Sequence, residues 1–191
     1  MRLLSAKQRE QIEQLDHLRI TYGINCLVNE PLPAVDEPVS LDIEHDEAGG
    51  FVGIGVYVGS LNTHYWYTDI LSLDLHALSS LRLIGHNAIS DIETLRFWGF
   101  DVKDECISHD TMLIGHISDS SLKTYGLKDM AKRELGIEYP SYDEIVGKRT
   151  AKQATERVTL DKQPPVLVQL YNMADCWVTW KLAEKQRKQC V

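Results

Sequence analysis

Asp42 and Glu44 stand two residues apart in Val39-Ser40-Leu41-Asp42-Ile43-Glu44, where apolar and polar residues alternate. That period is a strand's, and in a strand residues two apart point to the same face. Two carboxylates at ~4 Å repel by several kcal/mol at an effective dielectric of about 20. A hard divalent cation such as Mg²⁺ offsets that repulsion, because oxygen ligands suit it. Two further spacings carry chemistry. Asn87 and Asp91 bracket a change from strand to helical periodicity, and Tyr171 and Asp175 are four apart on a helical stretch. Residues four apart share a helix face, so a hydroxyl and a carboxylate meet there. An isolated D-x-E is more often a solvated strand with two surface acids; the three elements together raise the metal reading above it.

The chain has 191 residues, 43% of them apolar, and a net charge of −8. That length predicts one substantial core, hence one domain with at most a short appendage. Overall acidity argues against a nucleic-acid partner, but the distribution of the charge points the other way. Nine acids and no Lys or Arg lie from Glu30 through Asp74, and the other nineteen acids face all 20 bases. Acidity concentrated around Asp42 and Glu44 is what a phosphate-handling metal site looks like without its ions. No apolar run approaches the ~18 residues of a spanning helix, and Met1 to Arg9 lacks a signal peptide's apolar stretch. The expectation is a cytoplasmic protein, of a bacterial or phage-infected cell, with no membrane partner. Cys26, Cys106, Cys176 and Cys190 form no C-x-x-C pair, which predicts free thiols and no zinc site.

The elements that must position these residues follow from the pattern. Residues 1–38 form an N-terminal appendage, with an amphipathic helix over 3–18 and a Pro- and acid-rich connector ending at Pro38. Leu18 to Ile20 and Ile24 to Val28 leave open a strand or irregular packing. Residues 39–191 form the main domain. After the first strand, Phe51 to Val58 and Thr63 to Thr68 predict two more strands of an antiparallel meander, with Gly53 and Gly55 allowing close backbone approach. Leu73 to Leu81 predicts a short helix, Leu81 to Ile84 a brief strand, and Ile92 to Trp98 a helix with Ser90 as N-cap and Asp91 in its first turn. Cys106 to Ser108 reads as a strand leading through Asp110 into a helix, and Leu122 to Leu135 as a helix closed by Gly136. Tyr142 to Lys162 reads as a short helix and a mobile basic loop. Pro164-Pro165 opens the final helix, buried along Leu167, Leu170, Ala174 and Trp177.

In that order, Asp42-Ile43-Glu44, Asn87-Ala88-Ile89-Ser90-Asp91 and Tyr171-Asn172-Met173-Ala174-Asp175 resemble the three motifs of the DEDD 3′→5′ exonucleases of the ribonuclease-H-like superfamily. Tyr171, with Leu170 where the sister subclass places histidine, resembles the tyrosine branch (DEDDy). The strongest likeness is to the proofreading exonuclease domain of family A DNA polymerases. His109-Asp110-Thr111-Met112 and Leu122 through Ala131 are similar to that domain's middle helices, so the resemblance runs from about Val39 to Glu184. It implies an α/β fold: a mixed central sheet, three antiparallel strands plus parallel ones, flanked by helices. It also implies two-metal hydrolysis of phosphodiesters with Mg²⁺ or Mn²⁺, the two ions ~3.5–4 Å apart. Asp42 would bridge both ions, Glu44 and Asp175 complete the nucleophile-side site, and Asp91 support the second. Tyr171 would orient the attacking water, since its ordinary pKa of about 10 makes it a poor base. The chain departs from the family at His45, where threonine is usual, and at Ser90, where a large aromatic is frequent. No polymerase domain follows within the chain.

The implied substrate is DNA, single-stranded or frayed at its 3′ end, in proofreading or repair. The implied partner is a separate polymerase or replication protein. His45 and Asn87 are candidate substrate contacts, and so are Lys148 and Arg149 in the basic tract, because a phosphate backbone needs a positive guide. A 3′→5′ exoribonuclease of the same fold is one alternative, the sugar being read near His45 and Asn87. A non-catalytic module binding nucleic acid or a polymerase is the other. Asp46 and Glu47 read as turn acids, Asp110 as a helix cap, and His64, His76, His86, His109 and His116 as surface or satisfied core groups.

Overall fold

The computed structural model describes residues 4–72, 80–147 and 158–189. Alternation over 39–44 becomes strand β2 (Val39–His45) at the middle of a six-stranded sheet. With β1 (Asn25–Val28), β3 (Phe51–Val58), β4 (Thr63–Tyr67), β5 (Leu83–Gly85) and β6 (Ile107–Asp110), the order is β1-β4-β3-β2-β5-β6. β2, β3 and β4 form the expected antiparallel meander. β5 pairs parallel to β2 and β6 parallel to β5, while β1 pairs parallel to β4 at the other edge. The sheet is therefore mixed, as the resemblance implies.

Period-two alternation gives the sheet two unlike faces. On one, Val39, Leu41 and Ile43 of β2, Ile54, Val56 and Val58 of β3 and Tyr65 and Tyr67 of β4 pack against Ile92 and Leu95 of α2 (Ala88–Phe97), preceded in the chain by α1 (Ala6–Thr21). The other face carries Ser40, Asp42, Glu44, Gly53, Gly55, Tyr57, His64 and Trp66. Among the described residues the further α-helices are α3 (Thr111–Ser118), α4 (Leu127–Met130), α5 (Tyr142–Val146) and α6 (Pro165–Gln189). α6 lies across the mixed polar face, and every residue from Leu170 to Thr179 is buried. A helix buried all round must be covered on its far side too. Leu15 and Leu18 of α1, with Met130 of α4, share its core.

Local structure departs from the expectations at several points. Residues 6–28, set apart as an appendage, supply a helix of that shared core and the edge strand β1, closing the meander's flank. The irregular stretch of 18–28 resolves into the end of α1 and β1. α1 begins at Ala6, later than the expected start at residue 3, because Ser5 and Gln8 form a reciprocal capping box there, and it runs on to Thr21. The helix after β5 starts at Ala88, not after Ser90, with Asn87 at its N-cap in the left-handed region (φ 65°). Asn tolerates that region better than most residues. Leu122 to Leu135 is helical only from Leu127, and Ala131–Leu135 widens into a π-helical turn before Gly136 (φ 70°) closes it. Pro165 opens the last helix as expected. The helix expected at 73–81 and the basic tract from Lys148 to Lys162 fall mostly outside the described residues; the tract's end, Leu160–Lys162, is a short 3-10 turn. No described helix is long and apolar enough to cross a membrane.

Candidate active site

Asp42 faces Gly55 across the β2–β3 ladder and Glu44 faces Gly53. Both glycines make room. A Cβ on Gly55 would stand 1.6 Å from Asn172 Oδ1, and one on Gly53 would stand 2.1 Å from the Trp66 ring. Without that space α6 could not come down onto the acids. Asn172, wholly buried on α6, donates from Nδ2 to Asp42 Oδ2 at 2.8 Å and to the Asp42 carbonyl at 3.1 Å. Its Oδ1 lies 3.0 Å from His64 Nε2, and Cys176 Sγ lies 3.5 Å from the same oxygen. Because Nδ2 is the donor to Asp42, Oδ1 accepts and His64 carries its proton on Nε2. Burial lowers the His64 pKa to about 4, so the ring is neutral at physiological pH and adds no charge beside Asp42.

One turn apart on α6, Tyr171 and Asp175 reach the same edge. Asp175 is buried and its Oδ1 accepts from Tyr139 Oη at 2.6 Å and from Lys128 Nζ. The Lys128 ammonium also lies over two rings, 3.9 Å from the Tyr139 centroid and 4.4 Å from that of Tyr171. Aromatic faces attract a cation in this way. Asp91, in the first turn of α2, senses the charges of Asp42 and Asp110. Asp110 caps two helices at once: its carboxylate accepts from the backbone N–H of Met112 and Leu113 in α3 and of Asn87 and Ala88 at the start of α2. That double cap sets where Asp91 enters the site.

The acids are electrostatically one group. Burial, then the neighbouring Asp175 charge, pushes the Asp42 carboxyl up to about 8. Burial raises Glu44 well above the carboxylate range, with Asp42 and Asp175 next in order, and raises Asp91 with Asp42 next. The Tyr171 hydroxyl is pushed well above its ordinary value by burial first, then by Asp175, Glu44 and Asp42. It is a donor here, not a base. Glu44 Oε1 is buried with no hydrogen-bond partner, which leaves a carboxylate oxygen open to a cation. An all-oxygen donor set with an orphaned acceptor and mutual repulsion fits Mg²⁺ or Mn²⁺. Among the described residues, though, no three His, Cys, Asp or Glu side chains already stand as a closed ligand group. Asn172 holds one Asp42 oxygen and Lys128 with Tyr139 holds Asp175.

The flanking candidates are placed unequally. His45, which pairs with Phe51 just past a register shift in the β2–β3 ladder, is exposed, with Nδ1 2.8 Å from the Asp46 carbonyl. Asn87 is exposed and makes no side-chain cap bond. Lys148 and Arg149 lie outside the described residues. A cavity of about 360 Å³ opens between His45 and Phe97, with Ser90 on its wall. Asp46 takes the turn role expected of it, accepting from the N–H of Ala48 and Gly50. His86 differs from a satisfied group: Nδ1 lies 2.8 Å from Thr111 Oγ1, while Nε2 is buried with no partner. Sequence reasoning missed Asn172, Tyr139, Lys128 and His64. Asn172 lies within the Tyr171–Asp175 motif, where a buried amide beside an acid is a usable signal; the others converge from stretches far apart in the chain.

No family model and no curated protein matches this sequence. Solved structures do match. One nuclease, in its apo form, superposes with a TM-score of 0.60 at 16% identity over 85% of this chain and 79% of its own. NrnC of Brucella melitensis with bound Mg²⁺ superposes with a TM-score of 0.59 at 16% identity, over 86% of this chain and 80% of its own. The chain has a ribonuclease-H-like fold. At this identity the fold is what the proteins share. In the ribonuclease-H-like sheet of this chain, the mixed polar face of β2 is the one that α6 covers.

Proposed function

We propose that this chain is a metal-dependent 3′→5′ exonuclease of the tyrosine DEDD type, hydrolysing phosphodiester bonds at single-stranded or frayed DNA ends. The placement of Asp42 and Glu44 on one face of β2, against the stretch of α6 that carries Tyr171 and Asp175 either side of Asn172, carries the reading. The nuclease folds it resembles, one with bound Mg²⁺, support it. Two divalent ions, when bound, supply a hydroxide at neutral pH and neutralise the leaving 3′-oxygen. Asp42, Glu44, Asp91 and Asp175 would hold them. The chain's own residues do the rest. Asn172 fixes the rotamer of Asp42 by holding Oδ2. Tyr171, kept protonated, orients the attacking water by donating to or accepting from it. Glu44 offers an oxygen that no protein donor has claimed. The cavity between His45 and Phe97, whose wall includes Ser90 next to Asp91 in sequence, is the space this reading gives to a terminal nucleotide.

RNA is the second reading. His45, next to Glu44 in sequence, and Asn87, at the N-cap of the helix that carries Asp91, are both exposed, so each is a polar group free to meet a 2′-hydroxyl. Digestion of 5′-labelled and 3′-labelled single strands, DNA beside RNA, with Mg²⁺, Mn²⁺ or EDTA, tests direction, sugar and metal together. The expected result is a ladder from the 5′-labelled strand, only with metal, lost in Asp42→Ala. Digestion in EDTA, or by Asp42→Ala at the wild-type rate, overturns the reading.

A further inference from the structure

The cation at the acidic edge of this site belongs to the protein itself. Lys128 Nζ pairs with Asp175 Oδ1, and the charges it senses besides Asp175 include Asp42 and Glu44. It stands at the corner the proposed reading gives to the nucleophile-side ion. Asp175 Oδ1 also takes the Tyr139 hydroxyl at 2.6 Å. An ammonium and a divalent ion drawn to the same carboxylate oxygen repel each other, and the repulsion grows as the surroundings lose dielectric screening.

A single ammonium is also a poor match for three carboxylates. It leaves Glu44 Oε1 buried and unpartnered, where a divalent ion would draw in that oxygen as well. The lysine has somewhere to go. Its side chain is 23% exposed against 9% for Asp175. It rises from a four-residue helix that runs into the π-helical turn Ala131–Leu135, and its stem is flexible. The faces of Tyr139 and Tyr171, 3.9 Å and 4.4 Å from Nζ, border the ammonium where it stands.

We propose that Lys128 is an exchangeable cation of the site: its ammonium holds Asp175 while no metal is bound, and it leaves Asp175 when a divalent ion is taken up there. Lys128 is then a positioning residue that keeps the acids assembled and sets the metal affinity, not a ligand. The proposal rests on the metal-dependent reading of Asp42, Glu44 and Asp175.

Two measurements test it. In the wild-type protein, acylation of Lys128 by an N-hydroxysuccinimide ester is followed by peptide mass spectrometry in EDTA and in Mn²⁺. Labelling should rise with Mn²⁺; equal or lower labelling overturns the proposal. Calorimetric titration with Mn²⁺ then compares wild type with Lys128→Met. The variant should bind the ion tighter by about tenfold or more, as expected when a like charge is removed from a buried site. Its metal-free melting temperature should fall below wild type, and Mn²⁺ should close the gap. Equal or weaker binding by the variant overturns the proposal while leaving the metal reading intact. Failure of Mn²⁺ to bind either protein overturns both. If Lys128→Met does not fold, the wild-type labelling decides.

Discussion

The two faces of the sheet differ in what they bury. Beneath α2, Val39, Leu41, Ile43, Ile54, Val56 and Val58 belong to one buried apolar cluster. Beneath α6, the same strands present Ser40, Asp42, Glu44, Gly53, Gly55 and His64. Buried methyl and methylene groups stabilise at about 25 cal/mol per Å² of apolar area. Buried carboxylates cost stability unless paired. One face therefore supplies the stability that lets the other hold repelling acids. The second face is made tolerable by devices the first lacks: two glycines opposite the acids, a buried amide on Asp42, a neutral histidine behind it, and the Lys128 ammonium on Asp175. Even the small polar contacts there fix α6 to the sheet, such as Ser40 Oγ donating to the Cys176 carbonyl at 2.7 Å.

The two faces should separate most sharply at Tyr171. Tyr171→Phe keeps the ring that faces Lys128 and removes only the hydroxyl. Turnover should drop ~10²–10⁴-fold, the range for a group that handles a proton in the reaction, with the melting temperature nearly unchanged. Loss of Mn²⁺ binding in that variant, read by calorimetry, would make Tyr171 a ligand or a strut. On the other face the balance should invert. Ile54, fully buried between Gly53 and Gly55 in sequence, points at the apolar core. Ile54→Ala should cost about 2–5 kcal/mol in denaturant unfolding while turnover per folded molecule stays at the wild-type level.

That adjacent residues play such different parts explains which features were legible in the sequence. Asp42, Glu44, Asp91, Tyr171 and Asp175 could be singled out as candidates because their order and spacing resemble the exonuclease motifs, and the meander because alternation and glycines mark it. β1 was not legible, since four residues pairing with the far edge of the sheet have no period of their own. Nor was the start of α2, whose N-terminus is capped by Asp110 from 22 or 23 residues away. Lys128 and Tyr139 look like ordinary surface and core residues until a helix 36 or more residues later brings Asp175 to them. Local pattern carries the donors of a site; the groups that pair and orient them arrive by topology.

Gly55→Ala tests the boundary between the faces with one methyl group. Its Cβ would stand 1.6 Å from Asn172 Oδ1, so Asn172 must move and Asp42 loses its partner. Overpacking of this kind costs about 1–3 kcal/mol, and disturbing a partner of a metal-ligating acid costs about 10–100-fold in affinity or activity. Stability and Mn²⁺ affinity should therefore fall together, unlike in Ile54→Ala. A Gly55→Ala protein with wild-type Mn²⁺ affinity would show that the Asn172–Asp42 bond does not position the acid.

The smallest effect expected is in the metal-free pH dependence, to which the polar face contributes Asp42 and His64. Asp42 is pushed up to about 8 by burial and Asp175, whereas in the unfolded chain it ionises near its ordinary value of about 4. Between those values the folded state holds the extra proton, so this group's contribution to stability is lost as pH rises toward 8. His64 acts in the opposite sense below 6.5: its pKa is lowered to about 4, so the unfolded state takes up the proton and stability falls as pH drops. The two trends oppose each other in acid and separate above pH 6.5, where His64 is neutral in both states. In EDTA the melting temperature should decline by a few degrees from pH 6.5 to 8, each kcal/mol being worth about 2–4 °C in a chain of this size. Asp42→Asn should flatten that decline, and Mn²⁺ at pH 8 should reverse it in the wild type alone. A melting temperature that rises over this interval in wild type, with the same slope in Asp42→Asn, would mean that Asp42 is already ionised and paired in the metal-free fold.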